Sequence, residues 1–141
     1  MGRVIQSMPT ANVGDEIPPL SLAIGREMME RFGVLIDDRN PVHFDDDFAK
    51  AKGFPAAIAH SAVGSSLILR MLTAWLGAWP LRNDGLDISF VAPVHVGYTL
   101  TARGRCIEVG ETSSVWEVWC EMQEGKKVIA GKAQIATTRT A

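Results

Sequence analysis

Ala56-Ala-Ile-Ala-His-Ser-Ala-Val-Gly-Ser-Ser-Leu-Ile-Leu-Arg-Met-Leu-Thr-Ala-Trp75 is filled with apolar and small residues, and Arg70 is its sole charge. The pattern predicts a helix from Ala56 to about Ala78. Its most apolar part, Ala56 to Leu69, is too short to span a bilayer and fits a buried core helix. A helix that is apolar on nearly every side must be covered on nearly every side. Ala62, Gly64, Ser65 and Ser66 allow the cover to approach the backbone closely.

The cover is legible on the C-terminal side as four strand patterns. Leu86, Ile88 and Phe90 alternate with Asp87 and Ser89, and Pro93 ends that run. Tyr98 to Val109 is Thr-rich and extended. Ser113 to Met122 puts Trp116, Val118, Cys120 and Met122 on one face and Glu117 and Glu121 on the other, and Lys127 to Thr138 is the fourth. Gly97, Gly110 and Gly125 mark short turns, which predict antiparallel neighbours. On the N-terminal side Leu20, Leu22 and Ile24 alternate, and Pro18-Pro19 restrict that strand to an edge or a start. A helical pattern opens at Gly25 with Met28, Phe32, Leu35 and Ile36 on one stripe and must end before Pro41. Residues 38–53 read as a loop with one helical turn around Asp47 to Lys52. The expected fold is α+β: one domain over residues 1–141, an antiparallel sheet wrapped around one long central helix, with residues 1–12 flexible. Val115 and Trp119 share the sheet's outer face with the glutamates, as for contact with a second subunit or as scattered surface hydrophobes.

The 141 residues suit one domain, and 47% hydrophobic content allows a core. A net charge of -2 without a clustered basic face points away from nucleic acid. Cys106 and Cys120 form no C-x-x-C pair, and no Cys/His cluster has metal-ligand spacing. The N-terminus lacks the apolar run of a signal peptide. A cytoplasmic protein in a reducing compartment is expected, with no membrane segment and no metal.

Just ahead of the apolar run stands the chain's densest polar chemistry. Asp37-Asp-Arg-Asn-Pro-Val-His-Phe-Asp45 is followed by a charged segment to Gly53 and then Phe-Pro-Ala-Ala-Ile-Ala-His-Ser61. One reading is a solvated surface turn broken by Asn40-Pro41, the other a catalytic site at a buried helix. Asp38-Arg39-Asn40-Pro41-Val42-His43, with Ala49 six residues on, Gly53, and His60 22 residues after Asp38, resembles the MaoC-like dehydratases, the (R)-specific enoyl-CoA hydratases or hydratase 2. Their signature is D-x-N-P-x-H, with a His-Gly opening a long helix. Ser89-Phe90-Val91-Ala92-Pro93-Val94 and Gly97 look like the family's following strand and turn. The chain departs from the family at Ile36-Asp37, usually Ser-Gly, at Ser61, usually Gly, and at Tyr98, usually acidic.

The resemblance implies a hot-dog fold, a homodimer and reversible addition of water to a 2-enoyl thioester. Coenzyme A or acyl carrier protein is then the substrate's carrier, and no cofactor is needed. It implies Asp38 and His43 as the catalytic dyad and the backbone N–H of Ser61 as the oxyanion donor at the helix start. Asn40 either orients the dyad or makes an Asx turn before Pro41. His60 either caps and packs at the helix start or joins the chemistry, and His95 reads as a loop histidine. Asp45, Asp46 and Asp47 read as solvated caps of the following turn. Leu67, Leu69, Met71, Leu72 and Trp75 read first as core, with an acyl-pocket role open for some. Arg39, Lys50, Lys52, Arg103 and Arg105 are candidates for the carrier's phosphates or plain surface charge. The alternatives are a hot-dog thioesterase and a subunit of a heteromeric hydratase. The first would need a carboxylate on the long helix, and Ala56 to Trp75 has none.

Overall fold

Period-2 burial along the strands builds a sheet with one face on a core. The computed structural model describes residues 5–7, 10–77, 85–136 and 138–140. The order is β1 (Ile5–Ser7), β2 (Glu16–Ala23), α1 (Arg26–Leu35), a 3-10 turn at Pro41–His43, α2 (Asp46–Ala51), α3 (Ser61–Leu76), β3 (Leu86–Phe90), β4 (Thr99–Val109), β5 (Ser113–Glu121), β6 (Lys127–Ala136) and β7 (Thr138–Thr140). Five strands form an antiparallel sheet in the order β2-β4-β5-β6-β3. In β5, Ser114, Trp116, Val118 and Cys120 are buried and their neighbours are half-buried. Trp116 lies opposite Cys106 and Ala133, so the buried residues of β4, β5 and β6 share one face.

That face receives α3, which buries Val63, Gly64, Leu67, Ile68, Met71, Leu72 and Leu76. At Gly64 the helix backbone meets the sheet: a Cβ there would strike Ile129 Cδ1, and Cys120 Sγ reaches Gly64 O at 3.6 Å. One long helix wrapped by an antiparallel sheet is the hot-dog arrangement. No helix among the described residues is long and apolar enough to cross a membrane.

The edge strand β2 carries Pro18 and Pro19 at a break in its register with β4. Trp119 and Val115 are half-buried on the outer face. Three sequence expectations need correction. The helix begins at Ser61, because residues 57–59 are held extended. Ala57 N–H donates to Asp46 Oδ1 at 2.9 Å, Ile58 N–H to Val42 O at 3.2 Å and Ala59 N–H to Val94 O at 2.7 Å. These acceptors are distant in sequence and outweigh local helical propensity. Gly77 ends α3 in the left-handed region, and Ala78 lies outside the described residues. In α1 the buried positions are Met29 and Gly33, whereas Leu35 and Ile36 are 80% and 41% exposed. The fourth strand ends at Ala136, and β7 pairs with β1 in a second sheet that periodicity did not reveal.

Candidate active site

The loop after α1 is drawn back onto the helix at Gly33. Gly33 O accepts from Asp38 N–H at 2.9 Å, after Asp37 turns through φ 54°. The left-handed region is one that aspartate tolerates better than most residues and that glycine adopts freely. Gly33 admits nothing larger, since a Cβ there would lie 2.7 Å from Phe44 Cζ and 2.9 Å from Asp38 O. The Asp38 carboxylate is then held from both sides. Its Oδ1 accepts from Asn40 N–H at 3.1 Å, and its Oδ2 faces His43 Nε2 at 3.6 Å and His60 Nε2 at 3.9 Å. Asn40 Oδ1 accepts from Val42 N–H at 3.1 Å and starts the 3-10 turn that presents His43. The Asx role of the Asn40 side chain and the hold of its backbone on Asp38 therefore coexist.

The histidine tautomers follow from their acceptors. His43 Nδ1 lies 2.8 Å from Ile58 O. A carbonyl only accepts, so Nδ1 carries a proton, and Nε2 is the nitrogen that faces Asp38. His60 Nε2 lies 3.0 Å from Asp38 O and donates to it by the same argument. The buried Nδ1 of His60 has no hydrogen-bond partner among the described residues. The two rings stack with centroids 3.8 Å apart and planes 28° apart, and Phe32 and Phe44 flank His60 at 5.5 and 5.7 Å. His60 is the residue before α3 but makes no side-chain cap, so its work is on Asp38 and His43.

Asp38, His43 and His60 place one ligand atom each within 4.8 Å of one another, close enough for a metal ion. His60 Nε2, however, spends its proton on Asp38 O. The arrangement suits proton transfer between Asp38 and His43. Burial pushes the Cys120 thiol up to about 12 and raises that of Cys106, so neither is a nucleophile at neutral pH.

A cavity of about 410 Å³ opens beside His43. Ser61 is its other polar wall, and Phe54, Ile58, Phe90 and Ile129 are among the apolar ones. Ser61 opens α3, where first-turn N–H groups have no intrahelical acceptor. The helix residues read first as core stay core at Leu67, Met71 and Leu72, while Trp75 packs on Trp116 with centroids 4.6 Å apart. Leu69 faces a separate groove with Ser66, Arg70 and Thr73. Of the basic candidates, Arg103 pairs with Glu121, and Arg105 approaches Glu117 at 4.0 Å, both on the outer face of the sheet. Arg39 stacks 5.6 Å over Phe44 and Lys52 5.5 Å over Phe48, with Lys50 on α2. His95 bridges to Ile58 and its ring faces Tyr98 at 5.5 Å.

Sequence reasoning took Asp46 for a solvated cap, and the structure corrects this. Asp45 caps α2 as expected, accepting from Asp47 and Phe48 N–H. Asp46 instead clamps three segments: Oδ1 accepts from Ala57 N–H at 2.9 Å and Oδ2 from Arg26 Nη2 at 2.8 Å. The Ala57 N–H, with help from Arg26 and Lys50, holds its carboxyl below the usual range against partial desolvation. Its partners lie 11 and 20 residues away, so no local pattern announces them.

Known proteins resemble this chain in sequence and in fold. An (R)-specific enoyl-CoA hydratase of Aeromonas caviae is 28% identical over 118 residues, 82% of this chain and 88% of that one. A UPF0336 protein of Saccharopolyspora erythraea is 44% identical over 100 residues, 70% of this chain, and the match spans only 60% of that protein. The solved structure of the (R)-hydratase from A. caviae superposes with a TM-score of 0.77 at 25% identity, covering 94% of this chain and 99% of that one. Residues 6–135 match the family described as MaoC like domain, and the chain belongs to that family.

Proposed function

We propose that this chain catalyses the reversible hydration of a 2-enoyl thioester to the (R)-3-hydroxyacyl thioester, with coenzyme A or acyl carrier protein as carrier and no cofactor. The observation that carries the reading is the pair Asp38 Oδ2 and His43 Nε2, 3.6 Å apart beside an apolar cavity, with the imidazole tautomer held by Ile58 O. A water touching both groups adds its oxygen to C3 of the enoyl chain. The proton it gives up passes to the pair, and the pair returns a proton to C2, so the dyad ends in the state in which it began. Negative charge gathers meanwhile on the thioester oxygen, and the Ser61 N–H is its donor in this reading, supported by its position at the start of α3. His60 holds the Asp38 backbone and the face of the His43 ring, a positioning role.

A hot-dog thioesterase would draw a carboxylate from the long helix, and Ser61–Leu76 contains none. The same reading takes a homodimer in a reducing cytoplasm as the working unit. Half-buried Val115 and Trp119 on the outer face and two buried free cysteines support it.

The test is loss of enoyl-thioester absorbance with crotonyl-CoA, run beside Asp38→Asn and His43→Gln. Each variant is expected to lower kcat by about 10²- to 10⁴-fold while its circular dichroism is unchanged. A wild type inactive on short, long, branched and dicarboxylic enoyl-CoAs would overturn the proposal. Full activity in both variants would overturn the dyad.

A further inference from the structure

We propose that the Ser61 hydroxyl donates a second hydrogen bond to the thioester oxygen, so that Ser61 stabilises the enolate through both its backbone N–H and its side chain. The inference rests on the hydratase reading above and adds a catalytic group to it.

Ser61 is the first residue of α3, is exposed, and lines the same cavity as His43. Helical Cα–Cβ bonds tilt toward the N-terminus. The hydroxyl is therefore carried into the space in front of the helix that the first-turn N–H groups face. It has no hydrogen-bond partner within the described residues, and His60 leaves the helix start without a side-chain cap. Serine also fits here without strain, because the described non-glycine residues with positive φ are Asp37 and Glu124 alone.

The same geometry tells what this hydroxyl does not do. A nucleophilic serine needs an adjacent general base to take its proton, and the imidazoles are the bases nearest in sequence and space. His43 Nδ1 is bound to Ile58 O, and His43 Nε2 faces Asp38. His60 Nε2 is bound to Asp38 O, and His60 Nδ1 has no hydrogen-bond partner among the described residues, Ser61 included. With neither imidazole taking its proton, Ser61 keeps it and can offer it as a hydrogen bond. As the C3–O bond forms, the double-bond electrons move onto the thioester oxygen, and both Ser61 donors meet the charge where it grows. A glycine at this position, usual in the family that the sequence resembles, would keep the N–H and lose the hydroxyl.

The experiment compares wild type with Ser61→Ala, Ser61→Gly and Ser61→Thr on whichever enoyl-CoA the wild type hydrates fastest. All three keep the N–H, and threonine keeps the hydroxyl. Alanine and glycine are expected to lower kcat about 10- to 100-fold, with KM within about 3-fold, and threonine to retain most of the rate. A second readout needs no turnover: the enolate of bound acetoacetyl-CoA, followed by its absorbance against pH, should form at lower pH with wild type than with Ser61→Ala. Wild-type kcat in both alanine and glycine variants overturns the inference while leaving the hydratase reading intact. An acyl adduct on Ser61 by mass spectrometry also overturns it, in favour of a nucleophile. Inactivity of the wild type on every enoyl-CoA defeats the hydratase reading and this inference together.

Discussion

The Ile58 carbonyl decides what His43 can do. By accepting from Nδ1 at 2.8 Å it commits that nitrogen's proton and leaves Nε2 as the basic atom beside Asp38. Asp38 is held in turn through its own backbone, by Gly33 O on one side and His60 Nε2 on the other. Gly33 is thus the residue on which the loop's position depends. A Gly33→Ala methyl would press on the Asp38 carbonyl at 2.9 Å and on Phe44, and the carbonyl cannot yield without moving the dyad. The variant is expected to lose about 1–3 kcal/mol of stability in urea melts. Its hydration rate should fall even under conditions where it is fully folded, because the carboxylate has shifted. The D-x-N-P-x-H spacing made Asp38, Asn40 and His43 legible in the sequence. The roles of Gly33 and Ile58 were not, because each acts through a backbone carbonyl that becomes a partner only after folding, and His60 was legible as a helix-start residue but not as the partner of the Asp38 carbonyl.

At the scale of elements, the site is assembled by clamps between short segments. Asp46 ties α2 to Ala57 ahead of α3 and to Arg26 at the start of α1. Its carboxyl titrates lower in the folded chain than its ordinary value of 3.8, chiefly because Ala57 N–H binds the charged form. Its stabilisation is therefore complete above the ordinary carboxylate range and declines as pH falls below about 4 toward the lowered folded value. Asp46→Ala is expected to lower the melting temperature at neutral pH and to flatten the acid limb of a plot of melting temperature against pH. An acid limb as steep as wild type would show that other carboxylates govern it. The same clamps explain where α3 begins. Residues 56–60 have helical composition, yet hydrogen bonds to Asp46, Val42 and Val94 hold 57–59 extended, and the N-terminus of the helix falls at Ser61 beside the cavity.

For the whole molecule, the sheet must reach around α3 and still leave a cavity beside His43. Phe90, at the end of the edge strand β3, is part of that cavity's wall, and β3 is held by its pairing with β6. Gly131 lets the two strands meet: a Cβ there would strike Asp87 O and lie 2.6 Å from Ile88 Cα, both backbone atoms. Gly131→Ala is expected to cost about 2–3 kcal/mol and to raise KM for the enoyl thioester, as the wall moves off the acyl chain. Gly64→Ala is the control, since its methyl would clash with the end of the Ile129 side chain and meet Leu100 at ordinary contact, with no backbone atom in the way, and should cost less. Equal melting temperatures for the two variants would count against this account.

By itself the sequence determined the layers. An apolar run with one charge had to be a covered helix, and four period-2 runs joined by short turns had to be its antiparallel cover, because both patterns depend only on neighbouring residues. Its motif also marked the loop that carries Asp38 and His43. Tertiary structure alone decided the start of α3, the exposure of Leu35 and Ile36, the β1–β7 pairing and the imidazole tautomers. Each of these depends on which backbone donor or acceptor, or which apolar surface, a residue meets from far along the chain, and that is settled only when the sheet has closed around the helix.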